Sequence, residues 1–368
     1  MTNPLMTKYA DLLVRYCLDI QPGDTLLIHS TTLAEPLVRE VYRLALRAGG
    51  MVDVQLRFQD QNKIFLEEAK EDQLAHISPL YQKAMYEYKA YLRIMAPFNL
   101  REDQEVNGES ARTQREHYKD IQKTYFSRTA TRDLKRNLCL YPTDALAQNA
   151  GMSSEEYAHF VFKACKILDE DPVASWLNVR AEQQKIVDFL NQCSEIHYLG
   201  EKVDIRFSTK GRTWINSDGQ TNMPSGEVYT SPVEDSVNGT IHFSYPGIYM
   251  GHEVEDVTLW VEDGTIQKWE ASRGKKFLDY IFSLEGARRF GEAAIGTNRD
   301  IDRLTKNILF DEKIGGTIHM AIGQSYLQAG GKNTSSVHWD MITEMRNGGI
   351  IYADGEKVYE NGQFIIFD

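Results

Sequence analysis

The sequence predicts an α/β N-terminal domain built from parallel βαβ units, followed by a mixed α+β C-terminal domain. Three observations lead there. Helical and strand periodicities alternate from Lys8 to Leu56, with turn residues between them. After about residue 193 the texture changes to short strands and tight turns. No internal repeat relates the two parts, so they are different folds rather than a duplication. The expected division is 1–193 for a scaffold and substrate-wall domain and 194–368 for a catalytic domain, each long enough to bury its own core.

From Lys8 to Cys17, Tyr9, Leu12, Leu13 and Tyr16 fall at helical spacing, and the Pro22-Gly23-Asp24 turn follows. Thr25 to His29 reads as a buried strand, Leu33 to Ala48 as a helix stopped by Gly49-Gly50, and Val52 to Leu56 as a second strand. That is a βαβ unit, whose strands are parallel. Further strands are expected at Tyr91 to Met95 and Leu138 to Leu140, each ended by a proline. Between them, Arg101 to Arg136 is rich in both charges and poor in aliphatic residues, which predicts a solvated helical layer. Ser153 and Glu156 fit a capping box for a helix through Ala164, and a second helical pattern runs from Ala174 to about Leu190. Strands follow at Glu195 to Leu199, Val203 to Phe207, Thr240 to Ser244 and Thr258 to Trp269, the last folded at an Asp263-Gly264 hairpin turn. One helix interrupts them, with Phe277, Tyr280, Ile281 and Leu284 as its apolar face.

Composition narrows the function. A formal charge of −12 offers no clustered Lys and Arg for phosphate, which excludes nucleic acid and anionic membrane as partners. No apolar run is long enough for a membrane span and the start MTNPLMTKYADLL lacks a secretion signal, so a cytoplasmic location is expected. Cys17, Cys139, Cys165 and Cys193 are widely spaced in apolar surroundings, as buried thiols in a reducing compartment are. The first strand is followed by neither GxGxxG nor GxxxxGK[ST], so the βαβ unit has no nucleotide signature.

The chemistry lies between Asp311 and Met345. In a strand from Thr317 to Ile322, Ile318, Met320 and Ile322 face one way and Thr317, His319 and Ala321 the other, leaving space beside the imidazole. His338 and Asp340 are two apart and share a face. A lone strand histidine is usually a hydrogen-bonded structural residue, but His319, His338 and Asp340 together supply the nitrogen and oxygen donors of a metal site. Glu227, in PSGEVYTSPVEDSVNGT, and Glu292, in FGEAAIGTN, add carboxylates set among small residues.

The blocks GEVYTSPVEDSVNGT, FGEAAIGTN, DEKIGGTIHMAIGQSY and NTSSVHWDMI, with the opening helix and QPGDTLLI, resemble the thermophilic metalloaminopeptidase family. The resemblance implies a two-domain, homodimeric enzyme that removes N-terminal residues from peptides with a free N-terminus, using two divalent metal ions. Carried over by motif position, Glu227, Glu292, His319, His338 and Asp340 are the expected ligands of zinc, cobalt or manganese. Tyr326, seven residues after His319, is the expected catalytic tyrosine, and Glu312 matches a family glutamate. In a two-metal hydrolase the ions lie roughly 3.5 to 4 Å apart and share a bridging carboxylate, a part assigned to Glu292, while a tyrosine hydroxyl suits an oxyanion donor. Two readings stay open beside it. A mononuclear non-haem iron ring-cleaving dioxygenase of the dihydroxypyridine type also needs two histidines and a carboxylate. A non-catalytic peptide-binding protein on the same scaffold is the third.

Overall fold

A computed structural model describes residues 3–104 and 106–367. The chain divides into two compact units, Met1–Ser175 with Gly219–Pro224, and Trp176–Asp218 with Ser225–Asp368.

The first unit is a parallel α/β sheet. Its strands are β1 (Thr25–Thr31), β2 (Met51–Arg57), β3 (Ala90–Met95) and β4 (Lys135–Leu140), in the order β2-β1-β3-β4, with the short strand Asn222–Met223 added beside β4. All these pairings are parallel. Central β1 is buried along its length because both faces are covered, while β2, at an edge, exposes Met51 and Val54. The helix Glu35–Arg47 crosses from β1 to β2 and buries Leu37, Val38, Val41 and Ala45. The charged stretch becomes the helix Gly108–Ala130, which buries little besides Ile121; Asn107 caps it through its side-chain oxygen. Ser153 does the same for Ser154–Ala164, accepting from the Glu156 amide at 3.2 Å.

Two local details differ from the sequence expectation. The first helix, Pro4–Asp11, continues as a π-helical turn over Leu12–Cys17, so Val14 and Cys17 are buried along with the expected Tyr9, Leu12, Leu13 and Tyr16. The wider turn brings more residues per revolution to the core than a 3.6 period allows. In the second unit the helix Lys275–Ile281 buries Leu278 and Ile281, whereas Tyr280 is 54% exposed and lies off the apolar face.

The second unit is built on two large antiparallel sheets, with a small two-stranded one, Gly247–Tyr249 and His252–Val254, beside them in sequence. One large sheet has eight strands, ordered Thr265–Glu270, Val257–Glu262, Asn238–Phe243, Val203–Ser208, Glu195–Gly200, Ile350–Ala353, Glu356–Glu360 and Gln363–Phe364. Asp263 and Gly264 join the first two through positive φ of 47° and 71°, as a two-residue hairpin turn requires. The other sheet has five strands, ordered His338–Glu344, Thr317–Gly323, Phe290–Gly296, Glu227–Thr230 and Ile215–Ser217. Ile205, Phe207, Ile241 and Leu259 from the larger sheet share one buried core with Ile295, Ile318, Met320, Trp339 and Met341 from the smaller. One face of the five-stranded sheet is thereby committed to packing.

Candidate metal centre

The opposite face of that sheet gathers the polar side chains, and strand register explains how. Ala294 pairs with His319, Glu292 with Ala321, Ala321 with Asp340, Gly323 with His338 and Gly296 with Glu227. Directly paired residues share a face, so the two glutamates, two histidines and Asp340 alternate with Ala294, Gly296, Ala321 and Gly323 on one surface. The small residues leave the volume that the charged side chains converge on.

Glu292 reaches this face only because of a bulge. Phe290 pairs with Ile322 and Glu292 with Ala321, leaving Gly291 unmatched. Phe290 and Glu292 are two apart, yet Phe290 is in the core and Glu292 in the polar cluster, which is the switch that one extra residue produces. A Cβ on Gly291 would lie 2.2 Å from the Gln324 carbonyl oxygen, so the bulge admits only glycine. Glu227 begins its strand after Gly226, whose φ of +114° turns the chain into the sheet.

His319 Nε2 lies 3.4 Å from Glu227 Oε2 and 3.7 Å from Glu292 Oε1. His338 Nε2 lies 3.2 Å from Glu292 Oε2 and 3.7 Å from Asp340 Oδ1. Two groups of donor atoms result, Glu227–Glu292–His319 and Glu292–His338–Asp340, each drawn together within 4.8 Å, with Glu292 common to both. They differ in access. The His319 side chain is 1% exposed and that of His338 27%, so one end of the cluster is sealed and the other open.

Around them stand the remaining parts. The His338 Nδ1–H donates to the Gln324 carbonyl at 2.8 Å, which leaves Nε2 to face the carboxylates. The Tyr326 hydroxyl is 3.3 Å from His338 Nε2, and its ring packs between Tyr229 and His338. Glu312 follows the short helix Ile308–Asp311 and pairs with Lys313. The Asp311 carboxylate holds that turn by accepting from the Thr305 amide and hydroxyl, both at 2.8 Å.

Lys313 and Gln183 escaped the sequence reading. The Lys313 side chain is fully buried, and its ammonium lies 3.5 Å from Glu227 Oε1. Its only local signal is a charge wedged against Ile314-Gly315-Gly316. Gln183, from the helix Pro172–Leu190, donates to the Glu227 carbonyl at 3.2 Å and accepts from Thr297 at 2.7 Å; a glutamine in a helical pattern carries no such signal.

Burial raises the Glu227 carboxyl to about 7 against the pull of Lys313, and raises Asp340 to about 6 against that of His338. Burial also acts to raise Glu292, but the two imidazoles outweigh it and hold that carboxyl near 2. Burial works to lower both histidines, yet Glu292 and Glu227 bring His319 to about 9, and Asp340 and Glu292 bring His338 to about 10. Burial, then Glu292 and Asp340, push Tyr326 well above its usual range, so its hydroxyl keeps its proton.

The donor set fits a cation. Buried Glu227 Oε2, Asp340 Oδ1 and His319 Nδ1 have no hydrogen-bond partner among the described residues, an arrangement that costs free energy until the oxygens meet a positive charge. The family model described as "Thermophilic metalloprotease (M29)" matches residues 2–364. The chain belongs to the thermophilic metalloprotease family. As a metalloprotease it is a metal-dependent hydrolase, and two of its relatives match nearly its whole length. "Aminopeptidase PepS" of Streptococcus thermophilus is 28% identical, with 98% of each chain covered. "Aminopeptidase 2" of Geobacillus stearothermophilus is 28% identical over 92% of this chain and 91% of its own. The solved structure "Wild-type AmpT from Thermus thermophilus" superposes with a TM-score of 0.84 at 22% identity, covering 98% of this metalloprotease and 99% of that chain, and so shares its fold.

Proposed function

We propose that the protein is an aminopeptidase in which Glu227, Glu292 and His319 hold one divalent ion, Glu292, His338 and Asp340 hold a second, and Glu292 bridges them. The observation that carries this reading is the membership of Glu292 in both donor groups. Charge supports it. Glu227, Glu292, Glu312 and Asp340 oppose one buried ammonium, Lys313, so neutral imidazoles leave an excess of negative charge that a single divalent ion does not offset. Zinc, cobalt and manganese all suit these nitrogen and oxygen donors.

Such ions would polarise the scissile carbonyl and acidify a water for attack. The chain's own groups do the rest. Tyr326, protonated and beside His338, donates its hydroxyl to the oxygen that gains charge in the transition state. Glu312 carries a proton to the leaving amine. The open, acidic end at Asp340 suits a substrate ammonium, which is why a free N-terminus is required. A single-iron dioxygenase would leave Glu227 without a role, and no feature of the site favours it. The four free cysteines agree with a cytoplasmic setting, and a homodimer is the expected assembly.

The test is metal content per chain together with turnover of aminoacyl peptides and their N-acetylated counterparts. Two ions per chain and cleavage of free peptides alone support the proposal. One ion per chain, or cleavage of blocked peptides, overturns it.

A further inference from the structure

The first unit has a cavity of its own, of about 230 Å³, at the carboxyl ends of β1, β2 and β3. From β1 the chain moves outward to β2 and then returns to place β3 on the other side, so the cavity sits where the strand order reverses. Open parallel sheets bind their ligands at such points. At roughly 10–15 Å³ per ordered water, the space suits a small molecule rather than a lone ion.

Its walls are built for opposite charges. Thr31 pairs with Arg57 and His29 with Arg93, and since His29 and Thr31 are two apart, all four side chains leave one face of the sheet together. Neither arginine makes an ion pair among the described residues. Burial and then the neighbouring Arg93 disfavour the charge on Arg57, and they outweigh the pull of Asp103, so the two guanidinium groups share the cavity against their repulsion. His29 is 4% exposed and its Nδ1 meets the Tyr91 hydroxyl at 2.9 Å. Two carboxylates also line the cavity, Glu102, which accepts from the Asp60 amide, and Asp103, which accepts from Asn62 at 3.0 Å.

We propose that this cavity binds a small zwitterion, an amino acid or a dipeptide, with its carboxylate on Arg57 and Arg93 and its ammonium toward Glu102 and Asp103. Planar guanidinium pairs recognise oxyanions in bidentate fashion, and the acidic wall selects against a ligand that is only anionic. The site is independent of the hydrolytic reading of the second unit.

Met95 lines the cavity and gives a local probe. Full-length protein carrying ¹³C-methyl methionine is titrated with L-leucine, N-acetyl-L-leucine, L-leucinamide and inorganic phosphate, the Met95 signal being assigned with Met95→Leu. L-Leucine is expected to shift Met95 saturably. N-Acetyl-L-leucine should bind about tenfold more weakly and L-leucinamide not at all. Arg57→Gln should weaken leucine at least tenfold, and the Arg57→Gln/Arg93→Gln pair should abolish the shift while the other methionine signals stay in place, which certifies the fold. The inference is overturned if Met95 ignores leucine, if phosphate, leucinamide or N-acetyl-L-leucine binds as tightly as leucine, or if the double variant still responds.

Discussion

Replacing Glu292 by glutamine keeps the shape of the side chain and removes its charge, which isolates what that charge does. Between two imidazoles at 3.2 and 3.7 Å its carboxyl is held near 2, against an ordinary 4.5. The difference corresponds to roughly 3 kcal/mol of favourable interaction in the metal-free protein at neutral pH. Glu292→Gln, stripped of metal by chelation, should therefore unfold with about 2–4 kcal/mol less stability than wild type treated alike. Tryptophan fluorescence during urea denaturation is the assay. All five tryptophans, from Trp176 to Trp339, lie in the second unit, so the signal reports that unit alone. With metal restored, the variant should also hold fewer ions per chain and lose at least a thousandfold in kcat/KM. An unchanged urea midpoint, or a variant with two ions and full turnover, would refute the assignment of Glu292 to both halves of the site.

Tyr326→Phe should lower kcat by about 10²–10³, the usual loss for one oxyanion donor, with KM and metal content preserved; a variant at full speed ends that role for the tyrosine. With His319 and His338 raised to about 9 and 10, both imidazoles are protonated at neutral pH in the metal-free protein, and ligation must expel those protons. Metal affinity should thus fall as pH falls from 8 to 6, read by chelator competition, and a flat profile contradicts the ligand assignment. The same shifts stabilise the metal-free fold fully below the ordinary histidine pKa, and that contribution should fade as pH rises through 9 to 10 in alkaline urea titrations. Gly291→Ala forces a methyl group against the Gln324 carbonyl, so the tryptophan-reported transition should drop by more than 2 kcal/mol and metal content should fall with it; retention of both shows that the bulge tolerates a side chain.

The fold was legible wherever the cue was local. The β1–helix–β2 unit announced itself through Gly49-Gly50 and two apolar runs, and alternation around His319 separated a packing face from a polar one within six residues. What escaped depended on partners distant in sequence. The bulge at Gly291 exists only in the pairing of Phe290–Gly296 with Thr317–Gly323, so no window around Glu292 reveals it. Asn222–Met223 joins β4 from outside the first unit's continuous segment, through two residues too short for any periodicity. Lys313 gave no cue, because beyond adjacent Glu312 the carboxylate it meets, Glu227, is far away in the chain.

The polar face of the five-stranded sheet draws its donors from four strands whose first and last members, Glu227 and Asp340, are more than a hundred residues apart. No short segment can grip a cation by itself, in contrast to small domains that metal folds into shape. On the proposed assignment, loading waits for a finished sheet: the nascent polypeptide must complete its long-range pairing first, and any truncation that stops before His338 removes two of the five donors with the strand that carries them.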